Sequence, residues 1–152
     1  MSIKMKTAIP VLLIMMLGFN VTASAGGLEV THYAVPGDRQ LPFSEAVRVG
    51  HMLYLSGQLG FDPKTSKLAE GGIAGETRQT MENIKATLEK HGSSMAEVVK
   101  CTVFLADIGE WAAMNEVYMT YFPSNPPARS ALGSSGLALG ARTEIECFAT
   151  VK

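Results

Sequence analysis

Cysteine is scarce in this chain of 152 residues, which has only Cys101 and Cys147, and tryptophan occurs once. The two cysteines stand far apart, without the close pairing of a zinc site or a dithiol redox motif, so neither a metal nor a redox cofactor is expected. His32, His51 and His91 equally lack the paired spacing of metal ligands. Positive charge is not in surplus, with 13 Lys and Arg against 14 Asp and Glu. These cations are scattered rather than clustered, and a nucleic-acid partner, which needs a basic face, is not expected. No internal repeat or low-complexity tract is visible. No apolar run reaches the roughly 20 residues that cross a bilayer.

One shorter apolar run does occur, from Ala8 to Phe19, preceded by Lys4 and Lys6 and followed by Ala23-Ser24-Ala25. A basic start, a short apolar middle and a small-residue end make a secretory signal, with cleavage expected after Ala25. The right flank has no stop-transfer charges, and no cysteine follows for a lipid anchor, so no stable membrane attachment is expected once residues 1–25 are removed. That segment carries two lysines and no acid; eleven basic and fourteen acidic residues would remain, a net charge of −3. The expected division is therefore a signal segment at 1–25 and a single domain at 26–152, exported to a periplasm or secreted.

Within that domain, Val47–Ser56 reads as one two-faced strand, with Val47, Val49, His51, Leu53 and Leu55 alternating against their neighbours. The period then changes: Thr77, Met81, Ile84 and Leu88 predict an amphipathic helix over 75–91, stopped at Gly92. Ser94 and Glu97 have capping-box spacing, and the turn they start leads to a strand over Val99–Leu105 with Val99, Cys101, Val103 and Leu105 on one face. Asp107 and Glu110 open a second helix whose stripe of Trp111, Asn115, Tyr118 and Phe122 is expected to be core and ends at Pro123. Strands follow at Ala128–Gly133 and Arg142–Val151.

This order predicts an α/β (α+β) fold with two helices packed on one face of a mixed sheet. The opposite face would carry Met52, Tyr54, Phe104 and Phe148 beside Ser56, Thr102 and Glu144, too apolar to leave in water. Packing several copies around an axis would cover it, so a homo-oligomer with sites at subunit boundaries follows from the pattern. Cys101 and Cys147 fall on the helix-covered face and are expected as buried thiols. A disulfide could join them only if their strands brought the α-carbons within about 7 Å.

Arg129 and Glu144 carry the chemistry. An arginine just after Pro126-Pro127 is held by rigid chain and suits bidentate capture of a carboxylate. A glutamate on a partly apolar sheet face can exchange protons with water near neutral pH, because desolvation raises its pKa. Spacing alone favours the plainer reading, that the two form an ion pair or that each points to solvent.

The stretches Gly50-His51-Met52-Leu53-Tyr54-Leu55-Ser56-Gly57-Gln58 and Gln79-Thr80-Met81-Glu82-Asn83-Ile84 resemble segments of the Rid/YjgF/L-PSP family. So do Val99–Leu105 with Asp107, Pro127-Ala128-Arg129-Ser130 and Glu144-Ile145-Glu146, in the family's order over about residues 41–151. The resemblance implies a chorismate-mutase-like fold, a homotrimer with inter-subunit clefts, and hydrolysis of enamine or imine intermediates such as 2-aminoacrylate and 2-iminobutanoate to 2-oxo acids and ammonia. It gives Arg129 the substrate carboxylate and Glu144 the attacking water, and it lines the cleft with Ser56, Gly57 and Ser130. No cofactor or metal is implied. Two positions depart from the family's usual pattern: Phe43 stands where a tyrosine is common, and Ala131 where a cysteine is common. Both make the substrate pocket more apolar. The competing reading is a trimer of the same fold that binds a small carboxylate or a partner without turnover, and the acidic balance gives little support to the ribonuclease activity attached to some members.

Overall fold

The computed structural model describes residues 27–37 and 41–152. The expected signal segment lies outside the described residues. Two helices, α1 (Gly72–Lys90) and α2 (Trp111–Tyr118), pack on one face of a sheet. Its strands are β1 (Val30–Ala34), β2 (Ser44–Val49), β3 (Met52–Leu55), β4 (Gln58–Leu59), β7 (Val98–Leu105), β8 (Ala128–Gly133) and β9 (Thr143–Thr150). Strands β5 (Phe61–Asp62) and β6 (Lys67–Leu68) form a separate small hairpin. The main order is β1-β2-β3-β9-β7-β8, with β4 also beside β9. Every pairing is antiparallel except β7 with β8, the two strands that α2 connects.

Helix α1 forms where the period of three and four indicated: Thr77, Met81, Ile84 and Leu88 are all fully buried. Each large apolar side chain so buried contributes about 1.5 to 3 kcal/mol. The helix ends at His91, and Gly92 takes the left-handed conformation, φ 79°, that closes a helix cheaply only without a Cβ. His91 also ties the helix end to the sheet edge, since its ring contacts the Glu45 carboxylate at 2.8 Å and stacks on Tyr33.

The expected strand over Val47–Ser56 is instead a hairpin, β2 turning into β3 at Gly50-His51, with Gly50 at φ 56°. Ala46 pairs with Leu55 and Arg48 with Leu53, so Ala46, Leu53 and Leu55 point into the core while Val47 and Val49 side with Tyr54 and Met52. A two-residue turn leaves polar and apolar residues alternating along the chain, which conceals the change of face. A register shift in β7 similarly turns Val98 inward and leaves Val99 exposed, where alternation had placed Val99 beside Cys101. Ser94 and Glu97 do pair, side chain to side chain at 2.7 Å, around a single 3-10 turn at Met95–Glu97.

Among the described residues the far sheet face has no helix. Tyr54 and Phe148 pack together on it with ring centroids 5.0 Å apart, and Met52 and Phe104 are only partly covered. On the helix-covered face, Cys101 and Cys147 are directly opposed in the β7–β9 ladder and form a fully buried disulfide. The two free thiols expected from their alternation are thus replaced by one bond, because antiparallel pairing brings together residues 46 apart in sequence. Closing a loop of that length is worth about 2 to 4 kcal/mol. Replacing both cysteines with alanine is expected to lower the unfolding free energy by about that amount under oxidising conditions, as denaturant titration would measure. Mass spectrometry without reductant should find no alkylatable thiol in the wild-type protein.

Candidate functional site

Arg129 lies on β8 in register with Cys101 of β7, and Ala131 with Val103, so both face the helices. The guanidinium Nη1 donates to the Asn115 Oδ1 at 2.6 Å, and its carbon sits 4.7 Å from the centre of the Tyr118 ring and 5.7 Å from that of Trp111. Two aromatic faces and one neutral amide fix the arginine without neutralising it. Among the described residues no carboxylate pairs with it. Burial pushes the Tyr118 hydroxyl up to about 12, against the opposing pull of Arg129, so this wall stays an uncharged phenol. A groove of about 630 Å³ opens beside the guanidinium, bounded by α2, the chain after it and Pro126-Pro127.

Glu144 lies on β9, paired with Phe104 of β7 and Leu59 of β4, and faces the uncovered side. Its carboxylate rests against Gly57: a Cβ on that glycine would lie 2.0 Å from Oε1. The family-like helix segment explains this placement. Asn83 of α1 donates to the Leu59 and Phe61 carbonyls at 3.0 and 2.9 Å, which holds β4 against the helix. Gly60 permits that approach, since a Cβ there would meet the Glu76 backbone at 2.6 Å. Buried Glu76 then accepts from the Arg142 backbone N–H at 2.8 Å, which fixes the start of β9. Desolvation raises the Glu144 pKa, and the neighbouring Glu146 charge adds to the rise.

The expected site residues thus fall into two groups. Gly57 touches Glu144, and Ser56 precedes it with its hydroxyl donated to the Ser44 carbonyl at 2.6 Å. That bond leaves Ser56 Oγ as an acceptor and gives it a structural use as well. Arg129 and Ala131 form the other group. Ser130 shares their strand but points to the uncovered face, where its Oγ meets Lys100 Nζ at 2.8 Å. Phe43 is 55 % exposed just ahead of β2. Arg129 and Glu144 do not pair: they lie on opposite faces of the sheet, two strands apart, a lateral offset of about 10 Å at ordinary strand spacing. Asn115 and Trp111, expected as core, instead face Arg129, and Trp111 is 44 % exposed. The amide of Asn115 in an otherwise aromatic stripe was the signal that could have shown this. Among the described residues no group of three His, Cys, Asp or Glu could hold a metal ion.

One sheet with two helices on one face, a caged arginine on that side and a desolvated glutamate on the other define a two-layer α/β protein. The family model described as Endoribonuclease L-PSP matches residues 38–151, and the chain belongs to that family, the Rid/YjgF/L-PSP family. The chain is 44 % identical over 108 residues to the human 2-iminobutanoate/2-iminopropanoate deaminase, covering 71 % of this chain and 79 % of that one. A RutC family protein of Pyrococcus horikoshii is 45 % identical over 108 residues, covering 71 % and 86 %. Among solved structures, RidA from an Antarctic Psychrobacter superposes with a TM-score of 0.71 at 40 % identity, over 78 % of this chain and 94 % of that one. The YjgF gene product of E. coli gives 0.68 at 31 %, over 80 % and 94 %.

Gly57→Ala is expected to push the Glu144 carboxyl off its bed and into water, because the new methyl would occupy the carboxylate's present position. The Glu144 pKa should then fall toward the ordinary carboxylate range, as carbon NMR of the titrating side chain would show, in a protein that remains folded.

Proposed function

We propose that this protein is a deaminase that hydrolyses 2-imino and 2-enamino acids, such as 2-iminobutanoate and 2-aminoacrylate, to 2-oxo acids and ammonia. The observation that carries the reading is the guanidinium of Arg129, held rigidly by aromatic rings and an amide yet free of any carboxylate among the described residues. Such a group is prepared for the planar carboxylate of an α-imino acid. Relatives at about 45 % identity that are named 2-iminobutanoate/2-iminopropanoate deaminases support the same chemistry.

Imines hydrolyse in water unaided, so the site has three tasks: to orient the substrate, to place one water, and to move a proton. Arg129 grips the substrate carboxylate. Glu144, as the carboxylate, takes a proton from water while the oxygen bonds to the imine carbon and the C=N π pair moves to nitrogen. Glu144 returns that proton to nitrogen to give the neutral carbinolamine, then takes the hydroxyl proton and passes it to the amine, so that ammonia leaves as the C=O bond of the 2-oxo acid forms. An enamine enters the same route after protonation at its carbon. Raising the Glu144 pKa suits it to both steps near neutral pH.

Arg129 and Glu144 cannot grip one small molecule within a single chain, because the sheet lies between them. We therefore propose that the site is completed between copies in a homotrimer, which also covers the apolar face bearing Tyr54, Phe104 and Phe148. We propose further that the protein works after export, in a periplasm or outside the cell, behind a signal segment at 1–25. The buried disulfide is in keeping with an oxidising compartment.

With imino acids generated in situ and their loss followed by trapping, Arg129→Ala is expected to raise KM on the order of tenfold or more, since a charge-assisted bidentate contact is lost. Glu144→Gln is expected to lower kcat by about a hundredfold. No acceleration by a correctly assembled wild-type protein would favour carboxylate binding without turnover. The active carboxylate form of Glu144 disappears as pH falls through its raised pKa, so the acid limb of kcat/KM should lie above the ordinary carboxylate range. Glu146→Gln removes the like charge that helps to raise that pKa and should move this limb to lower pH.

A further inference from the structure

We infer that the groove beside Arg129 receives the substrate's side chain, and that 2-imino acids with bulky apolar side chains are preferred to the three- and four-carbon ones, whose side chains are methyl and ethyl. This rests on the deaminase reading of the site and adds its specificity. The groove measures about 630 Å³, within the range of pockets that hold ligands much larger than a methyl or ethyl group. Met119, Phe122, Pro123, Pro126 and Pro127 make most of its wall, and Arg129 is the one charged residue among those that line it. Asn115 Oδ1, in the same wall, accepts from Arg129. A carboxylate held by Arg129 therefore has mainly apolar walls beside it, with the Tyr118 hydroxyl as the buried polar atom left without a partner among the described residues.

A methyl or ethyl side chain would leave those walls wet. Each methylene moved from water to an apolar wall is worth about a factor of four in affinity. Three further carbons, from a methyl to an isobutyl group, then give about tenfold in a groove that stays partly open to solvent. Met119 tests the wall without threatening the fold, since it is 65 % exposed and outside the core.

The experiment uses the purified protein with imino acids made in situ by an amino-acid oxidase from alanine, 2-aminobutyrate, leucine and phenylalanine, their loss followed by semicarbazide trapping. In parallel, calorimetry compares binding of 4-methyl-2-oxopentanoate with that of pyruvate. The expected result is kcat/KM about tenfold higher for the leucine-derived than for the alanine-derived imino acid, and a ratio reduced severalfold by Met119→Ser. Equal or falling rates with size, or a ratio indifferent to Met119→Ser, would overturn the inference while leaving the deaminase reading intact. Absence of turnover with every imino acid, together with tighter binding of 4-methyl-2-oxopentanoate than of pyruvate, would support the groove and sink the deaminase reading instead.

Discussion

In the middle of the sheet, β7 pairs antiparallel with β9 on one side and parallel with β8 on the other, and the pleat of these three strands decides where each reactive group goes. Alternate residues point to opposite faces. Cys101, Cys147 and Arg129 fall on one level and point toward the helices, while Glu144 and Phe104 share another level and point away. A slip of one residue in either ladder would exchange these faces, removing the disulfide and turning Arg129 away from the rings that cage it. The disulfide lies within the ladder that sets the site, so it reinforces the register on which the chemistry depends.

The helices act on this ladder differently. Helix α1 reaches across to β4 and β9 through Asn83 and Glu76, and by holding backbone groups it fixes Gly57 and Glu144 without touching the carboxylate. Helix α2 supplies Trp111, Asn115 and Tyr118 directly to Arg129. One side chain is thus placed by backbone support at a distance and the other by direct aromatic and amide contact. Both arrangements limit motion, which matters most for the proposed reaction, whose acceleration would come from orientation and proton transfer.

The uncovered sheet face and the divided site are two consequences of one architecture. A single layer of helices leaves Tyr54, Phe104 and Phe148 on the open face, and it leaves Glu144 there as well. Association of copies through that face, as proposed, would bury apolar surface and desolvate the glutamate further. Self-assembly and catalysis would then draw on the same surface, so a monomer would lack a complete site as well as a covered face.

Much of this was legible in the residues. The three-four spacing of Thr77, Met81, Ile84 and Leu88 was enough for α1, because a helix buries one stripe whatever it packs against. Arg129 and Glu144 were legible as candidate groups because each residue type suits one task, and the family-like stretches around them pointed to the same pair. The turn at Gly50-His51 was hidden, since alternation continues through a two-residue hairpin while the faces exchange. The disulfide and the Asn115 contact were hidden because each joins residues brought together only by strand pairing or crossover packing. The sequence by itself determined the helices and most of the strands through local periodicity, the family through its matching stretches, and Arg129 and Glu144 as the candidate pair through residue chemistry. Only the tertiary structure decided that Arg129 and Glu144 lie on opposite faces of the sheet, because register is a relation between strands and no single segment contains it.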